Sequence, residues 1–460
     1  MPSKILLLLK RIISVLGANI FGQICTVLIQ FLGVPVFLNF WGQAFYGEWL
    51  MIIAIPSYLM VTGTGIGFVS GNKLQMLIAN NKQEEAITVF QSAWTMICFL
   101  SIALLSVIIP VVLLSPIHEW LNIKYNTAYA VKSALIILSV YMFFSLLSEL
   151  LTAVYRASGL FARGIFIMNL LRVLEFIAII LAVILGAKII IAALVYLLVR
   201  ICGFIWMLFE CSKISWFHIS FARASVAEMK SELAAIVSFL GVPMSQALLI
   251  QGMTTVVGIR LGASSVVVFT ITRTLVNVIK QFASIIYSAL LPEFSISIST
   301  GNLHTARLLH RLSFQVTLWF ASISSILLFF FSERIMFIWT GGKIILDNRF
   351  FIMMLLVTIP YTLSTLSSFV PVSINKFARI AFTSIFNALM CITLTYILAP
   401  YFGLIAVPAT LFIAEIIMFF VVVRQSLNIL QDSFWNFVSN VFFSLPFNKI
   451  LRFKKYFVLK

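Results

Sequence analysis

Apolar residues form long runs along most of this chain, separated by short polar segments. Each run is close to the roughly 20 residues that an α-helix needs to cross a bilayer. We predict spans near residues 12–38, 45–70, 87–114, 131–155, 164–185, 189–210, 232–258, 264–291, 309–331, 348–370, 379–398 and 402–424. The pattern therefore predicts an all-α polytopic membrane protein with twelve transmembrane helices.

Two landmarks indicate that the second six spans repeat the first six. The tripeptide Phe-Ala-Arg that ends at Arg163 recurs 216 residues later at Arg379. Gly186, ahead of span six, is matched 217 residues later by Gly403, ahead of span twelve. Because an even number of spans separates equivalent positions, both halves share one membrane orientation. We expect two six-helix lobes related by a pseudo-twofold axis along the membrane normal.

The domain boundaries follow from the same pattern. We predict an N-terminal six-helix lobe over residues 1–210 and a polar cytoplasmic linker over 211–231. A C-terminal six-helix lobe then occupies 232–424, and a basic amphipathic tail occupies 425–460. Polar residues and Pro446 interrupt the apolar run of the tail, which favours an interfacial helix on anionic lipid over an additional span.

Composition and charge agree with a membrane protein. Of 460 residues, 62% are hydrophobic and only 10% are charged, against roughly 25% charged in soluble domains. The net charge of +17 is spread over short loops, so we expect no nucleic-acid partner. With a cytoplasmic N-terminus, 20 of the 31 Lys and Arg residues lie in cytoplasmic segments, 7 in outer loops and 4 within spans. The positive-inside rule then predicts that both termini are cytoplasmic.

Span eight carries two cations on one helical face. Arg273, Asn277 and Lys280 share that face through their spacing of four and three, and Thr270 and Ser284 extend it. A charge at bilayer depth costs from about 2.5 to well over 10 kcal/mol. We therefore interpret the stripe as the wall of a water-filled cavity. Like charges cannot neutralise each other and span eight holds no acid, so the stripe predicts an anionic ligand.

Further charged residues lie within the predicted spans. Arg172 in span five and Arg200 in span six join the stripe as candidate anion ligands. Arg172 and Glu175 are three residues apart, so they can equally neutralise each other. Glu149, Glu175 and Glu415 are candidate proton or sodium coupling sites, or else counter-ions to nearby arginines.

Amide side chains within the spans are candidate cavity-lining groups. Span one presents Asn19, Gln23 and Gln30 at helical spacing, span eight presents Asn277, and span eleven presents Asn387. Amides hydrogen-bond sugar hydroxyls, and they serve equally well in contacts between transmembrane helices. Both interpretations stay open at this point.

Patterns that indicate catalysis or metal binding are absent from the sequence. No Gly-rich loop precedes a Lys-Ser or Lys-Thr pair, which leaves an internal ATPase unsupported. The four histidines are unclustered, and the five cysteines have no paired spacing. We expect a protein that is not an enzyme and that has neither a cofactor nor a metal site.

The twelve-span plan, the turn GQAFYG from Gly42 to Gly47 and the loop from Gly159 to Arg163 carry a family resemblance. Over about residues 10–424 the chain resembles the multidrug/oligosaccharidyl-lipid/polysaccharide exporter superfamily, specifically the bacterial O-antigen (Wzx-type) flippases. The resemblance implies a lipid-diphosphate-linked oligosaccharide that is turned to the outer leaflet of the bacterial inner membrane by alternating access. It also implies the membrane lipid, and the polysaccharide polymerase machinery, as partners.

Under this interpretation the buried cations receive the diphosphate, with Arg163 and Arg379 as contacts at the cytoplasmic mouth. Moving two negative charges outward across about 100 mV releases roughly 4 to 5 kcal/mol, which helps to drive turnover. A cation-coupled multidrug exporter of the same superfamily is the first alternative, although four bases against three acids inside the spans disfavour cationic drugs. A membrane glycan polymerase or ligase is the second, and it is expected to have a long outer loop, which the chain lacks.

Overall fold

Apolar runs fold as helices here because, in lipid, each backbone polar group has to find its partner within its own segment. A computed structural model of the protein describes residues 2–374, 376 and 378–442. Side chains are described there except at residues 2–16, 19, 59, 62, 238, 282–293, 295, 296, 299 and 442. All regular elements in this part of the chain are helical.

The described chain divides into two compact units, a first unit that ends at Val267 and a second unit that begins at Val268. The helices of the first unit are α1 (Pro2–Phe40), α2 (Gly42–Ala79), α3 (Gln83–Leu114), α4 (Ile117–Trp120), α5 (Ala128–Ala157), α6 (Phe161–Ile184), α7 (Ile189–Cys211), α8 (Val226–Ala247) and α9 (Met253–Leu261). Helices α8 and α9 are joined by one π-helical turn, Leu248–Gly252.

Helix α10 begins at the end of the first unit and continues through the second. The remaining helices are α10 (Ala263–Ser299), α11 (Leu303–Thr340), α12 (Asn348–Ser367), α13 (Phe369–Ser373), α14 (Ala378–Phe402), α15 (Ala406–Leu430) and α16 (Phe434–Phe442). Short side chains cap several of these helices. Asp347 accepts hydrogen bonds from the first backbone N–H groups of α12, and Gly341 ends α11 in the left-handed conformation at φ +63°.

The number of membrane-length segments agrees with the prediction. Ten helical stretches in the described residues are long and apolar enough to span, and α2, bent by 43° between Tyr58 and Gly63, makes eleven. The stretch from Ala378 to Leu430 holds both α14 and α15, which brings the total to twelve. The prediction of an all-α polytopic membrane protein with twelve transmembrane helices is confirmed.

The α1–α2 turn explains the glycines of the GQAFYG sequence. Gly42 has φ +72°, a conformation that glycine adopts without strain. A Cβ atom on Gly47 would lie 1.9 Å from the carbonyl oxygen of Ala263, so only glycine fits there. Next to the turn, the indole N–H of Trp41 donates to the carbonyl of Ala187 at 2.9 Å. The turn therefore packs closely against Ala263 and is hydrogen-bonded to Ala187.

A buried carboxylate fastens one end of the first unit. Glu48 of α2 is fully buried. It accepts hydrogen bonds from the backbone N–H groups of Lys124, Tyr125 and Asn126 at 2.5, 2.7 and 3.0 Å. The side-chain amide of Asn126 adds a fourth at 2.7 Å. This single side chain thus fixes the loop between α4 and α5.

The segment predicted as a linker, residues 211–231, is held against the first unit. Trp216 is buried and donates to the Ser158 hydroxyl at 3.1 Å. Gln91 of α3 donates to the carbonyl of His218 and accepts from the backbone N–H of Arg223. Helix α8 then begins within the predicted linker. The compact units divide the chain at Val267, whereas the internal repeat places the lobe boundary at residue 232, so the lobes defined by the repeat remain a prediction.

The predicted tail, residues 425–460, is described as far as residue 442. The carboxylate of Asp432 binds Arg311 of α11 through two hydrogen bonds of 2.9 and 2.5 Å. Helix α16 then packs on α11, with Phe437 and Val441 buried. Phe437 stacks on the His310 ring at a centroid distance of 5.2 Å. Residues 443–460, and with them most of the basic tail, lie outside the described residues.

We predict that Glu48→Gln destabilises the protein. The amide keeps the size of the carboxylate but loses its charge, and at either oxygen position its NH₂ group faces two N–H donors. Hydrogen bonds to a charged group contribute about 1.5–3 kcal/mol each, so we expect a loss of that order. Thermal unfolding in detergent measures the effect, with the exposed Glu119→Gln as the matched control. Equal unfolding midpoints for the two variants would contradict the prediction.

Candidate functional site

A polar cavity of about 560 Å³ lies within the first unit. Helices α1, α5, α6 and α7 supply its polar walls. Its uncharged polar side chains are Gln23, Thr26, Tyr141, Ser145, Thr152 and Asn169, and its charged side chains are Glu149, Arg172, Glu175 and Arg200. We call this the first-unit cavity.

Arg200 and Glu175 form a closed ion pair at the wall of this cavity. Nη2 of Arg200 donates to Oε2 of Glu175 at 2.9 Å, and Nε lies 2.7 Å from Oε1. The Tyr141 hydroxyl donates to the same carboxylate and accepts from Arg200, both at 3.2 Å. The guanidinium also lies 5.3 Å from the centre of the Tyr141 ring. Both charges are buried and have each other as partners.

This pair agrees with one interpretation that the sequence left open, that Glu175 is a counter-ion to a nearby arginine. The spacing of three pointed to Arg172 as the neutralising neighbour of Glu175, but the partner in contact is Arg200 from α7. Arg200 was predicted as an anion ligand, and its guanidinium already holds an internal carboxylate. The three-residue spacing missed this because it reports only neighbours on the same helix.

Arg172 and Glu149 face the first-unit cavity in a different way. Arg172 is exposed, Glu149 is half-buried, and the two charges interact electrostatically. Among the ion pairs within 4.0 Å that the described side chains form, neither residue takes part. The cavity thus presents one cation and one anion that remain apart.

The amide of Asn169 occupies space that a glycine leaves open. A Cβ atom on Gly22 would lie 2.5 Å from Nδ2 of Asn169. Nearby, the Thr26 hydroxyl donates to the Gly22 carbonyl at 2.9 Å. Gln23, exposed on the next position of α1, also lines the cavity. Gln23 was predicted to line a cavity, and its side chain lines the first-unit cavity.

Three of the four α5 residues that line this cavity were not predicted from the sequence. Tyr141, Ser145, Glu149 and Thr152 follow α5 at spacings of four, four and three, which puts them on one helical face. Only Glu149 was singled out, because it alone carries a charge. The stripe was visible in the sequence and could have been found by searching for polar periodicity instead of charge.

The cationic stripe of span eight lies on α10 in the second unit. The Arg273 guanidinium lies 4.8 Å from the centre of the Phe269 ring, and the Lys280 ammonium lies 4.3 Å from that of Tyr361 on α12. The Lys280 ammonium is also attracted electrostatically by Glu415 of α15 and repelled by Arg273. The acid that span eight lacks is therefore contributed by another helix.

The other members of the proposed stripe follow the same helix. Asn277 is half-buried on α10, between the two cations in the sequence. The side chain of Ser284 lies outside the described residues. In the described part of the second unit, Lys280 thus interacts with one cation and one carboxylate. The first-unit cavity is lined by two cations and two carboxylates.

The remaining candidates are dispersed. Asn387 is buried and donates to the Ala414 carbonyl at 2.8 Å, so it joins α14 to α15. This is the interhelical contact that the sequence analysis offered as the alternative to cavity lining. Gln30 is half-buried on α1 and does not line the first-unit cavity, and the side chain of Asn19 lies outside the described residues.

The two arginines predicted at the cytoplasmic mouth stand at the beginnings of helices. Arg163, in the first turn of α6, forms an ion pair with Glu210 of α7. Arg379 is exposed in the first turn of α14. Among the described residues, no group of three or more His, Cys, Asp and Glu side chains is arranged to hold a metal ion.

We predict that single replacements in the Glu175–Arg200 pair destabilise the protein far more than the double replacement does. Glu175→Leu or Arg200→Met alone leaves one buried charge unpaired, at a cost of about 3–5 kcal/mol. Glu175→Leu combined with Arg200→Met removes both charges together. Unfolding midpoints in one detergent measure the three variants. A double variant that loses the sum of the two single effects would show that the charges act independently.

Comparison with known proteins identifies the fold. No protein-family model matches the chain, and no curated protein matches it either. An inward-facing multidrug resistance MATE family transporter of the MOP superfamily matches with a TM-score of 0.73 and 13% identity, over 88% of this chain and 94% of that one. The lipid II flippase MurJ in an inward closed conformation matches with a TM-score of 0.61 and 18% identity, over 97% and 98%.

A further match is a MOP superfamily transporter from Pyrococcus furiosus, described as having a binding pocket of reverse polarity that suggests a different function. Its TM-score is 0.57 at 16% identity, over 92% of this chain and 97% of that one. The matched proteins are transporters and flippases. The chain therefore shares its fold with the membrane transporters of the MOP superfamily.

Proposed function

We propose that the protein is a flippase that moves a lipid-diphosphate-linked oligosaccharide, of the O-antigen repeat-unit type, across the bacterial inner membrane by alternating access. The observation that carries this proposal is the pair Arg273 and Lys280 on one face of transmembrane helix α10. Their charges repel each other. A diphosphate, which carries two negative charges, relieves that repulsion through charge-assisted hydrogen bonds.

The diphosphate is assigned to the second unit because the charges of the first-unit cavity already balance. Arg200 forms an ion pair with Glu175, and Arg172 interacts electrostatically with Glu149. A group with two negative charges gains little there, since it would face at least one carboxylate. Arg200 consequently positions Glu175 and Tyr141 in our proposal, and Arg172 remains a contact for a single negative group.

Two of the matched structures support a substrate of this kind. One is a lipid II flippase, so this fold is compatible with movement of a lipid-linked substrate. Another has a pocket of reverse polarity for which a different function was suggested. We further propose that both termini face the cytoplasm, with Arg163 and Arg379 at the cytoplasmic mouth, and that the polysaccharide polymerase machinery uses the product.

The driving force comes from the substrate charge and from coupling. Outward movement of two negative charges across about 100 mV supplies roughly 4 to 5 kcal/mol. Glu149 and Glu415 are our candidates for proton or sodium coupling, because each interacts with a base without forming a closed pair within 4.0 Å among the described residues. Glu175, held by Arg200, is the weaker candidate.

A cation-coupled multidrug exporter is the second candidate function. The fold match to a MATE family transporter, at a TM-score of 0.73, favours it. Glu149, which reaches the first-unit cavity, also favours it because a carboxylate attracts cationic drugs. Drug efflux by the reconstituted protein, unaffected by loss of Lys280, would select this function over the flippase.

We predict that Lys280→Ala lowers flipping of a lipid-diphosphate-linked oligosaccharide in proteoliposomes by about tenfold to 100-fold, the worth of one or two charge-assisted hydrogen bonds. Arg273→Lys should keep partial activity, because an ammonium lacks the planar fork that suits phosphate. The matched control is Arg334→Ala, an exposed cation of α11. Wild-type flipping by Lys280→Ala, with the protein correctly inserted, would overturn the assignment of the diphosphate to α10.

A further inference from the structure

The first-unit cavity has two charges available to a ligand. Glu175 and Arg200 form an ion pair and both hydrogen-bond Tyr141, so their opposite charges neutralise each other. Arg172 and Glu149 take no part in the ion pairs that the described side chains form within 4.0 Å. The two charges nevertheless interact electrostatically. The charges left to meet a ligand are therefore one guanidinium and one carboxylate.

Opposite charges that face one cavity and stay apart select for a ligand with both signs. A purely anionic ligand that reaches Arg172 is repelled by Glu149, and a purely cationic ligand that reaches Glu149 is repelled by Arg172. A zwitterionic ligand satisfies both at once. This requirement differs from that of α10, where two cations repel each other and one of them, Lys280, interacts with an acid.

The remaining walls indicate the kind of molecule that carries these charges. The Thr26 and Thr152 hydroxyls give their protons to backbone carbonyls at 2.9 and 2.6 Å, so their oxygens can still accept hydrogen bonds. The Gln23 amide can both donate and accept. Phe161 and Met168 supply apolar surface beside these groups. A cavity that is lined by hydrogen-bonding groups and by apolar side chains matches the hydroxyl edge and C–H face of a sugar ring.

The size of the cavity agrees with a ligand of this class. Its volume of about 560 Å³ lies within the roughly 300–1,000 Å³ typical of small-molecule sites. Asn169 reaches the wall because Gly22 has no side chain in its way. The arrangement therefore includes an amide that a single methyl group on α1 would displace.

We propose that the first-unit cavity recognises a sugar that carries both an amino group and a carboxylate, with Glu149 binding the ammonium and Arg172 binding the carboxylate. This inference rests on the proposed function, since such a sugar is part of the glycan that the flippase moves. The glycan that the cavity selects is therefore zwitterionic, and not neutral or purely acidic.

The test compares four sugars that share one ring and differ in their charged groups. Isothermal titration of the full-length protein in nanodiscs at neutral pH compares 2-amino-2-deoxyglucuronic acid, glucosamine, glucuronic acid and glucose. We expect the first, which carries both charges, to bind at least about tenfold tighter than each of the others, because it makes one more charge-assisted hydrogen bond. Equal affinities, including no binding of any probe, would overturn the proposal.

Two variants separate a binding role from a structural one. Arg172→Gln should weaken the zwitterionic probe and strengthen glucosamine, because the repelling cation is gone. Glu149→Gln should weaken the zwitterionic probe and strengthen glucuronic acid for the opposite reason. Lys188→Gln and Glu119→Gln, both exposed and outside the cavity, are the controls. A uniform loss of all probes in both variants would contradict the assignment, because misfolding cannot produce opposite changes in charge preference.

The outcome is separable from that of the proposed function. A protein that flips the lipid-linked oligosaccharide but binds the four probes alike would overturn this inference alone. A protein that prefers the zwitterionic probe but does not flip the lipid would overturn the flippase proposal and leave the cavity as a zwitterion site.

Discussion

A charge inside a membrane has to be paired or wetted, and this constraint shapes the protein more than any other. Placing one at the centre of a bilayer costs several kcal/mol at least. The chain nevertheless keeps two arginines and two glutamates around the first-unit cavity, and Arg273, Lys280 and Glu415 in the second unit. The Glu175–Arg200 pair meets the constraint internally, and the Tyr141 hydroxyl is hydrogen-bonded to both residues. The other charges are the ones to which our proposals assign ligands.

The two units meet this constraint in different ways, and that difference underlies the proposed division of tasks. In the first unit, charges balance, and hydroxyl and amide groups surround them, which suits a sugar with both signs of charge. In the second unit, Arg273 and Lys280 on one helix repel each other, and only Lys280 interacts with Glu415, which suits our proposal of a diphosphate. A transporter whose substrate has a diphosphate and a glycan needs both kinds of surface.

Much of the fold was predictable because membrane helices obey local rules. Twelve apolar runs predicted twelve membrane-length segments, since backbone hydrogen bonds in lipid are made within each helix. The face shared by Arg273, Asn277 and Lys280 followed from helical periodicity alone. The segment around Trp216 was not predictable in this way. Its polar composition indicated a linker, but its buried indole and its hydrogen bonds to α3 and to Ser158 hold it against the first unit.

The sequence by itself determined how many helices cross the membrane, which residues share a face of each helix, and that charges lie within the spans. The tertiary structure alone decided which charges meet. Glu175 forms an ion pair with Arg200 of α7 and not with its sequence neighbour Arg172. Lys280 interacts electrostatically with Glu415 of α15. The Asn387 side chain hydrogen-bonds across two helices. Periodicity fixes directions around one helix axis, whereas a partner depends on how neighbouring helices are rotated and packed, which no spacing along the chain records.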